Sequence, residues 1–204
     1  MTPIYHISHV RNLERVLAEG GLHCDRTAQK LKSINIGHMH IKERRLKREV
    51  PAGPGGTVGD YVPFYFAPRS PMLYAISRGR VEGYAEGQGP VIYLCSTVEA
   101  VAEAGLRWVF TEGHADMSYT DFFADLRDLD KVDWALMEER YWHDTNDDPD
   151  RKRRRQAEFL VHKFFPWELV SYIGVHDQAT AGKVGGLLKA QNPKVGIEQG
   201  WYYQ

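Results

Sequence analysis

The segment Tyr61-Val-Pro-Phe-Tyr-Phe66, followed at once by Ala67-Pro-Arg-Ser-Pro71, constrains the fold more tightly than any other stretch of the chain. Its aromatic and β-branched residues favour a strand. Pro63 has no N–H to give to a ladder, which predicts a sheet edge or a bulge at that point. Ser70 and Pro71 then supply a capping oxygen and a proline at the first helical position, so a helix carrying Met72, Leu73 and Ile76 is expected directly after the turn.

The rest of the chain mixes the same ingredients. Residues 3–7 read as a strand, and Ser8 is placed to cap a helix bearing Val10, Leu13, Val16 and Leu17, which Gly20-Gly21 ends. Residues 38–49 look helical but basic, and 51–56 form a Gly/Pro break. Further strands are expected at Val91–Cys95, Trp108–Thr111, Glu158–Val161 and Val170–Val175. Helices are expected from Thr97, over most of 119–143 and over 180–190, with a final extended piece. Residues 144–155 carry almost no apolar side chain and read as an exposed loop. Strands and helices follow one another without βαβ regularity, so the expected class is α+β.

At 204 residues, one domain spanning 1–204 is expected. Hydrophobic residues make up 43% and charged residues 26%, which excludes disordered, collagenous and coiled-coil chains. No apolar run approaches the ~20 residues of a membrane helix, and the N-terminus lacks the pattern of a signal peptide. Cys24 and Cys95 have no redox or metal spacing and suit a reducing compartment, so a cytoplasmic location is expected. The net charge of −1 hides segregated blocks: Lys42, Arg44, Arg45, Lys47 and Arg48 in one stretch, Arg151 to Arg155 in another, and clustered aspartates between them. Such blocks imply at least one basic patch, or simply solvated faces.

His38-x-His40 and nine histidines in all invite a metal hypothesis, but no H-E-x-x-H or paired C-x-x-C is present, so no metal is expected. Nor is there a dinucleotide-binding G-x-G-x-x-G, a P-loop or a G-x-S-x-G elbow. Three features are less generic. A histidine stands near the end of the first strand, in Tyr5-His6-Ile7-Ser8; an aromatic strand leads into a Pro/Ser turn; and a lone glutamate, Glu158, opens a late apolar strand.

On these residues the chain resembles the DarT-type DNA ADP-ribosyltransferase toxins of the wider ADP-ribosyltransferase superfamily. The similarity runs from Pro3-Ile-Tyr-His-Ile-Ser-His9 with Asn12-Leu13, through Glu43-Arg-Arg45 and Asp60–Phe66, to Pro68–Tyr74, Gln156–Val161 and Trp201–Tyr203. Ser8 departs from the threonine often found there, although both supply a hydroxyl. The resemblance implies a split β core surrounded by helices, NAD⁺ as co-substrate and single-stranded DNA as acceptor. It further implies modification of thymine at ring N3, a block to replication, and a macrodomain antitoxin of the DarG kind as partner. The family's glutamate maps onto Glu158 and its catalytic arginine onto Arg45; His6, Ile7 and Ser8 map onto nicotinamide-side contacts, and Arg15 and His23 onto further NAD⁺ contacts. The segment before Glu158 corresponds to the loop that shapes the acceptor site. Guanine, RNA or protein as acceptor, or a nucleic-acid-binding module without catalysis, remain alternatives.

The residue types suit that chemistry. Cleaving the nicotinamide–ribose bond develops positive charge on the sugar, which a carboxylate such as Glu158 stabilises increasingly as it forms. Tyr65 and Tyr74 can stack on nicotinamide or on a base. Thymine N3 must lose a proton to attack, and an arginine that stays protonated is a poor base, so Arg45 is better read as stabilising the thymine anion. Arg44, Arg48, Arg153, Arg154 and Arg155 are candidates for phosphate contacts, with Arg69 and His114 as further DNA-facing residues.

Overall fold

In the computed structural model, residues 1–31, 33–188 and 193–204 are described. Among these residues ten strands form: β1 (Pro3–His9), β2 (Gly21–His23), β3 (Tyr61–Tyr65), β4 (Val91–Thr97), β5 (Trp108–Thr111), β6 (Phe122–Phe123), β7 (Glu158–His162), β8 (Phe164–Pro166), β9 (Tyr172–Val175) and β10 (Lys194–Ile197). Eight of them make one sheet in the order β10-β9-β4-β1-β3-β7-β5-β6, antiparallel except for β9–β10, and β2 pairs with β8 separately. The helices are α1 (Leu13–Ala18), α2 (Asp25–Lys30), α3 (Met39–Arg45), α4 (Pro71–Ser77), α5 (Val98–Glu103), α6 (Trp134–Glu138), α7 (Arg151–Arg154) and α8 (Gln178–Leu188). The class is α+β.

The sheet has a seam at its centre. β1 matches β4 over seven residue pairs, and β3 matches β7 over five, yet β1 and β3 share only Tyr5↔Tyr65. Two four-stranded halves therefore diverge from a single joint. Pro63 sits in an interior strand rather than at an outer edge, and it is tolerated because it borders this seam, where β1 forms no ladder with it. Alternation along β4 feeds both faces: Ile92 and Leu94 pack with Leu13, Phe64, Phe159 and Ile173, while Val91, Tyr93 and Cys95 pack with Leu73, Ile76 and Tyr202.

Local signals account for several elements. The Ser70 hydroxyl accepts from the Leu73 amide at the head of α4, and Thr97 accepts from Ala100 at the head of α5. Ser8, expected as a cap, lies inside β1; a 3₁₀ turn over Val10–Asn12 intervenes before α1, and His9 caps it by accepting from the Arg11 amide. The expected helix over 119–143 is mostly absent. Phe122–Phe123 pairs with β5, Leu126–Lys131 is a 3₁₀ helix and only Trp134–Glu138 is α-helical. Asp125 and Asp133 divide this stretch by accepting from the Arg127 and Leu136 amides, each starting a new short element. The expected loop at 144–155 contains α7, and the basic helix expected over 38–49 is the shorter α3. Positions 189 and 190, the last two of the helix expected over 180–190, lie outside the described residues.

Candidate active site

A cavity of about 530 Å³ opens at the seam, walled by β1, β3 and the start of β7 and roofed by α2, α3 and residues 33–38. That volume falls in the range of small-molecule sites. His6, Ile7, Ser8, Arg15, His23 and Tyr65 all line it, as do Arg45 and Glu158.

Glu158 opens β7 with its amide on the Thr111 hydroxyl at 3.1 Å, and its side chain is 2% exposed. Both carboxylate oxygens accept from Arg45 Nη1, at 3.0 and 2.8 Å, and the Ala115 amide donates to Oε1 at 3.1 Å. Arg45 comes from the last turn of α3, where positive charge complements the helix dipole. Its Nε donates to Asp25 on α2 at 3.2 Å, while Nη2 is buried without a partner. Burial pulls the Arg45 guanidinium down, but the Glu158 and Asp25 carboxylates outweigh it and hold the group above its ordinary value. Arg45 is therefore a fixed cation and a poor proton acceptor.

Across the seam, His6 Nδ1 lies 2.8 Å from the Pro63 carbonyl. A carbonyl only accepts, so Nδ1 carries the proton and Nε2 is left as an acceptor. Burial lowers the His6 pKa, and that of His114, which also lines the cavity; both rings are neutral at pH 7. Burial and the nearby Glu158 carboxylate push the Tyr65 phenol up, so it stays protonated. Asn12 clamps the roof to the wall. Its side chain accepts from the Ile34 amide at 2.8 Å, donates to the Ile34 carbonyl at 2.9 Å and reaches the Ser8 hydroxyl at 3.2 Å.

Several residues expected at the site or on DNA are used otherwise. Tyr74 turns away from the cavity and meets Trp142, His143 and Tyr203 edge-on. Arg69 donates to the Tyr202 carbonyl at 2.7 Å and lies over the Tyr203 ring, which ties the C-terminal residues to the turn before α4. Arg155 is 3% exposed and donates to the carbonyls of Leu136, Met137 and Pro68, so it is a packing element and no phosphate ligand. Arg154 is held by Asp133 and Asp148. Arg153 lines the cavity but is engaged by Glu112 and Asp150 and lies over Tyr119. Arg44 pairs with Asp116 at 2.5 Å, and Arg48 donates to the Ser118 carbonyl at 3.2 Å and lies over Phe122. The arginines expected to reach phosphate thus mostly strap residues 112–122 in place.

Asp25, Lys42, Asn12 and Tyr119 line the cavity and were not singled out as site residues in the sequence. Asn12 falls inside a segment that carries the family resemblance, a usable signal. Asp25 sits on α2, which has no apolar periodicity to reveal it. Among the described residues, no group of three or more His, Cys, Asp or Glu side chains converges to hold a metal, and no helix is long and apolar enough to cross a membrane.

Comparison with known proteins places this arrangement. The family model described as ssDNA thymidine ADP-ribosyltransferase, DarT, matches residues 5–203. A DNA ADP-ribosyl transferase of Thermus sp. (strain 2.9) is 45% identical over 99% of this chain and 96% of its own length. The structure of Thermus sp. 2.9 DarT in complex with ADP-ribosylated ssDNA superposes with a TM-score of 0.92, at 43% identity over 99% of this chain and 96% of that one. Its complex with NAD⁺ gives 0.88, at 42% identity over 99% and 98%. A Thermosipho africanus DNA ADP-ribosyl transferase-DNA ADP-ribosyl glycohydrolase fusion protein is 23% identical over 93% of this chain and 46% of its own length. A seam in the sheet, a buried glutamate–arginine pair at its mouth and a family match over nearly the whole chain lead to one conclusion: this protein belongs to the DarT family of DNA ADP-ribosyltransferases.

Proposed function

We propose that this protein transfers ADP-ribose from NAD⁺ to ring N3 of thymine in single-stranded DNA, in a sequence-dependent way, as the toxin of a toxin–antitoxin pair that blocks replication in the cytoplasm. The observation that carries the reading is the buried Arg45–Glu158 pair in the cavity wall. The residues present fit NAD⁺. The orphaned Nη2 donor of Arg45 and the free Nε2 acceptor of His6 ask for polar partners, and the exposed Arg15 suits a diphosphate. NAD⁺ supplies an activated ribose with nicotinamide as leaving group. Glu158 accepts from the ribose hydroxyls and stabilises the positive charge that grows on the sugar. His6 and Ser8 orient the amide side of the ring. Arg45, held as a cation, stabilises the thymine anion, and water or Glu158 takes the N3 proton.

The name of the Thermosipho relative, in which transferase and glycohydrolase are fused, supports a separate DarG-like macrodomain partner that reverses the modification here. Incubating labelled NAD⁺ with DNA, RNA and protein in turn tests the acceptor; label is expected on thymine-containing single strands alone. N3-methylthymine at the target is expected to be inert, and the rate on normal thymine to rise with pH toward the N3 pKa. Label on RNA, on protein, or on the methylated base overturns the assignment.

A further inference from the structure

On the 151–155 run only Lys152 is left exposed and without a carboxylate partner among the described residues, at the cavity lining. Arg151, Arg153 and Arg154 are each paired with carboxylates and Arg155 is buried. A denser group of free positive charge lies at the end of α4, where Arg78 and Arg80 are exposed and, among the described residues, form no ion pair with any carboxylate. Their guanidinium carbons stand 5.2 and 6.0 Å from the centroid of the Tyr74 ring. Tyr74 in turn meets His143 edge-on at 5.5 Å, and His143, itself exposed, stacks on Trp142 at 4.4 Å. Tyr141, 72% exposed, flanks this cluster in sequence.

The patch adjoins the active site. Met72 and Ala75 of the same helix line the cavity, as does Asp144, the residue after His143. Arg78 follows Ala75 by three positions, about 4.5 Å along a helix axis. An aromatic surface flanked by unpaired guanidinium groups is what a single strand binds: cations for its phosphates and ring faces for its bases. A purely structural role explains less. Tyr74 is already packed by Trp142 and Tyr203, and two guanidinium groups gathered near one ring repel each other with no anion between them.

We infer that Tyr74, Arg78, Arg80 and His143 form a second, outer binding surface for the stretch of single-stranded DNA flanking the base taken into the cavity. This rests on the proposed function, since it extends the path of the same substrate. It also assigns Tyr74 a role on DNA outside the NAD⁺ site.

The test compares thymine-containing oligonucleotides of about 4 and about 16 nucleotides, the span of single-strand site sizes, with the wild type and an Arg78→Ala/Arg80→Ala variant. ADP-ribosylation kinetics and fluorescence anisotropy of the labelled long strand are read across a salt series. The wild type is expected to have a lower KM for the long strand. The variant should raise that KM to the value for the short strand and leave kcat and the short-strand kinetics unchanged. Its log–log salt slope on the long strand should fall by about 1.4, or 0.7 for each lost phosphate contact. Arg78→Lys/Arg80→Lys should restore the slope. An unchanged long-strand KM and slope in the alanine variant overturns the inference. If the wild type modifies neither strand, the proposed function fails instead. Anisotropy still decides the surface in that case: equal affinity and slope for wild type and variant overturn it, and a loss in the variant supports it.

Discussion

Replacing Arg155 with methionine removes three hydrogen bonds from the interior while keeping most of the side-chain volume. The guanidinium donates to Leu136 O at 2.6 Å, Met137 O at 2.7 Å and Pro68 O at 2.7 Å, joining the end of α6 to the turn before α4. Burial draws its pKa below the ordinary arginine value, so desolvation already offsets part of the gain from these bonds. Each carbonyl left without a donor costs about 1–3 kcal/mol, and three at the low end give about 3 kcal/mol. For a chain of this size each kcal/mol moves Tm by about 2–4 °C, so Arg155→Met should lower Tm by about 6–12 °C. Arg155→Lys should recover only part of the loss, because one ammonium lacks the fork that reaches three carbonyls. Calorimetric unfolding measures the shift, and salt-dependent DNA binding by the folded fraction serves as control. A drop of less than about 2 °C, or an intact Tm with a flattened salt slope, would refute this packing role and return Arg155 to the DNA-facing set.

Glu158→Gln should lower turnover by ~10²–10⁴ and also cost stability, since it keeps one acceptor for Arg45 but not the charge, and Glu158→Ala should cost more, about 3–5 kcal/mol, because Arg45 is then buried without its main partner. A Gln variant transferring ADP-ribose near the wild-type rate would remove Glu158 from the mechanism. Arg45→Lys should keep part of kcat and the wild-type salt slope, since its charge acts in the transition state; a change confined to KM for DNA would contradict that. His6 and His114 have folded pKa values below the unfolded value near 6.5, so their contribution to stability is full above about pH 6.5 and is lost as pH falls below it. Tm should therefore decline from pH 7 toward 5, less steeply in His114→Gln; equal slopes for both proteins would show that His114 does not carry the effect.

The legible parts of the sequence were those fixed by near neighbours. The β3–turn–α4 block, the Thr97 cap and the apolar run after Glu158 each declare themselves within a few residues, and the structure has all three. The destination of charge was not legible. Arg44 finds Asp116 at a separation of 72 residues and Arg153 finds Glu112 at 41, so arginines that look free in the chain are paired by the fold. Asp25 is illegible for the same reason: its meaning comes from Arg45, twenty residues away. The helix expected over 119–143 is broken because Asp125 and Asp133 cap new short elements within a stretch whose apolar residues alone suit a helix.

One short helix and the turn after it grip two parts of the site at once. Arg45 reaches inward to Glu158, while Arg44 and Arg48 reach outward to Asp116 and Ser118. Ala115, inside the strapped loop, also donates to Glu158. Displacing Arg45 from its carboxylate therefore perturbs a closed mechanical circuit running from α3 through the loop to β7 and back. Amide hydrogens at 113–120 should open to exchange together with the end of α3 as a single cooperative unit. Their protection would then register occupancy of the cavity before any bond is broken.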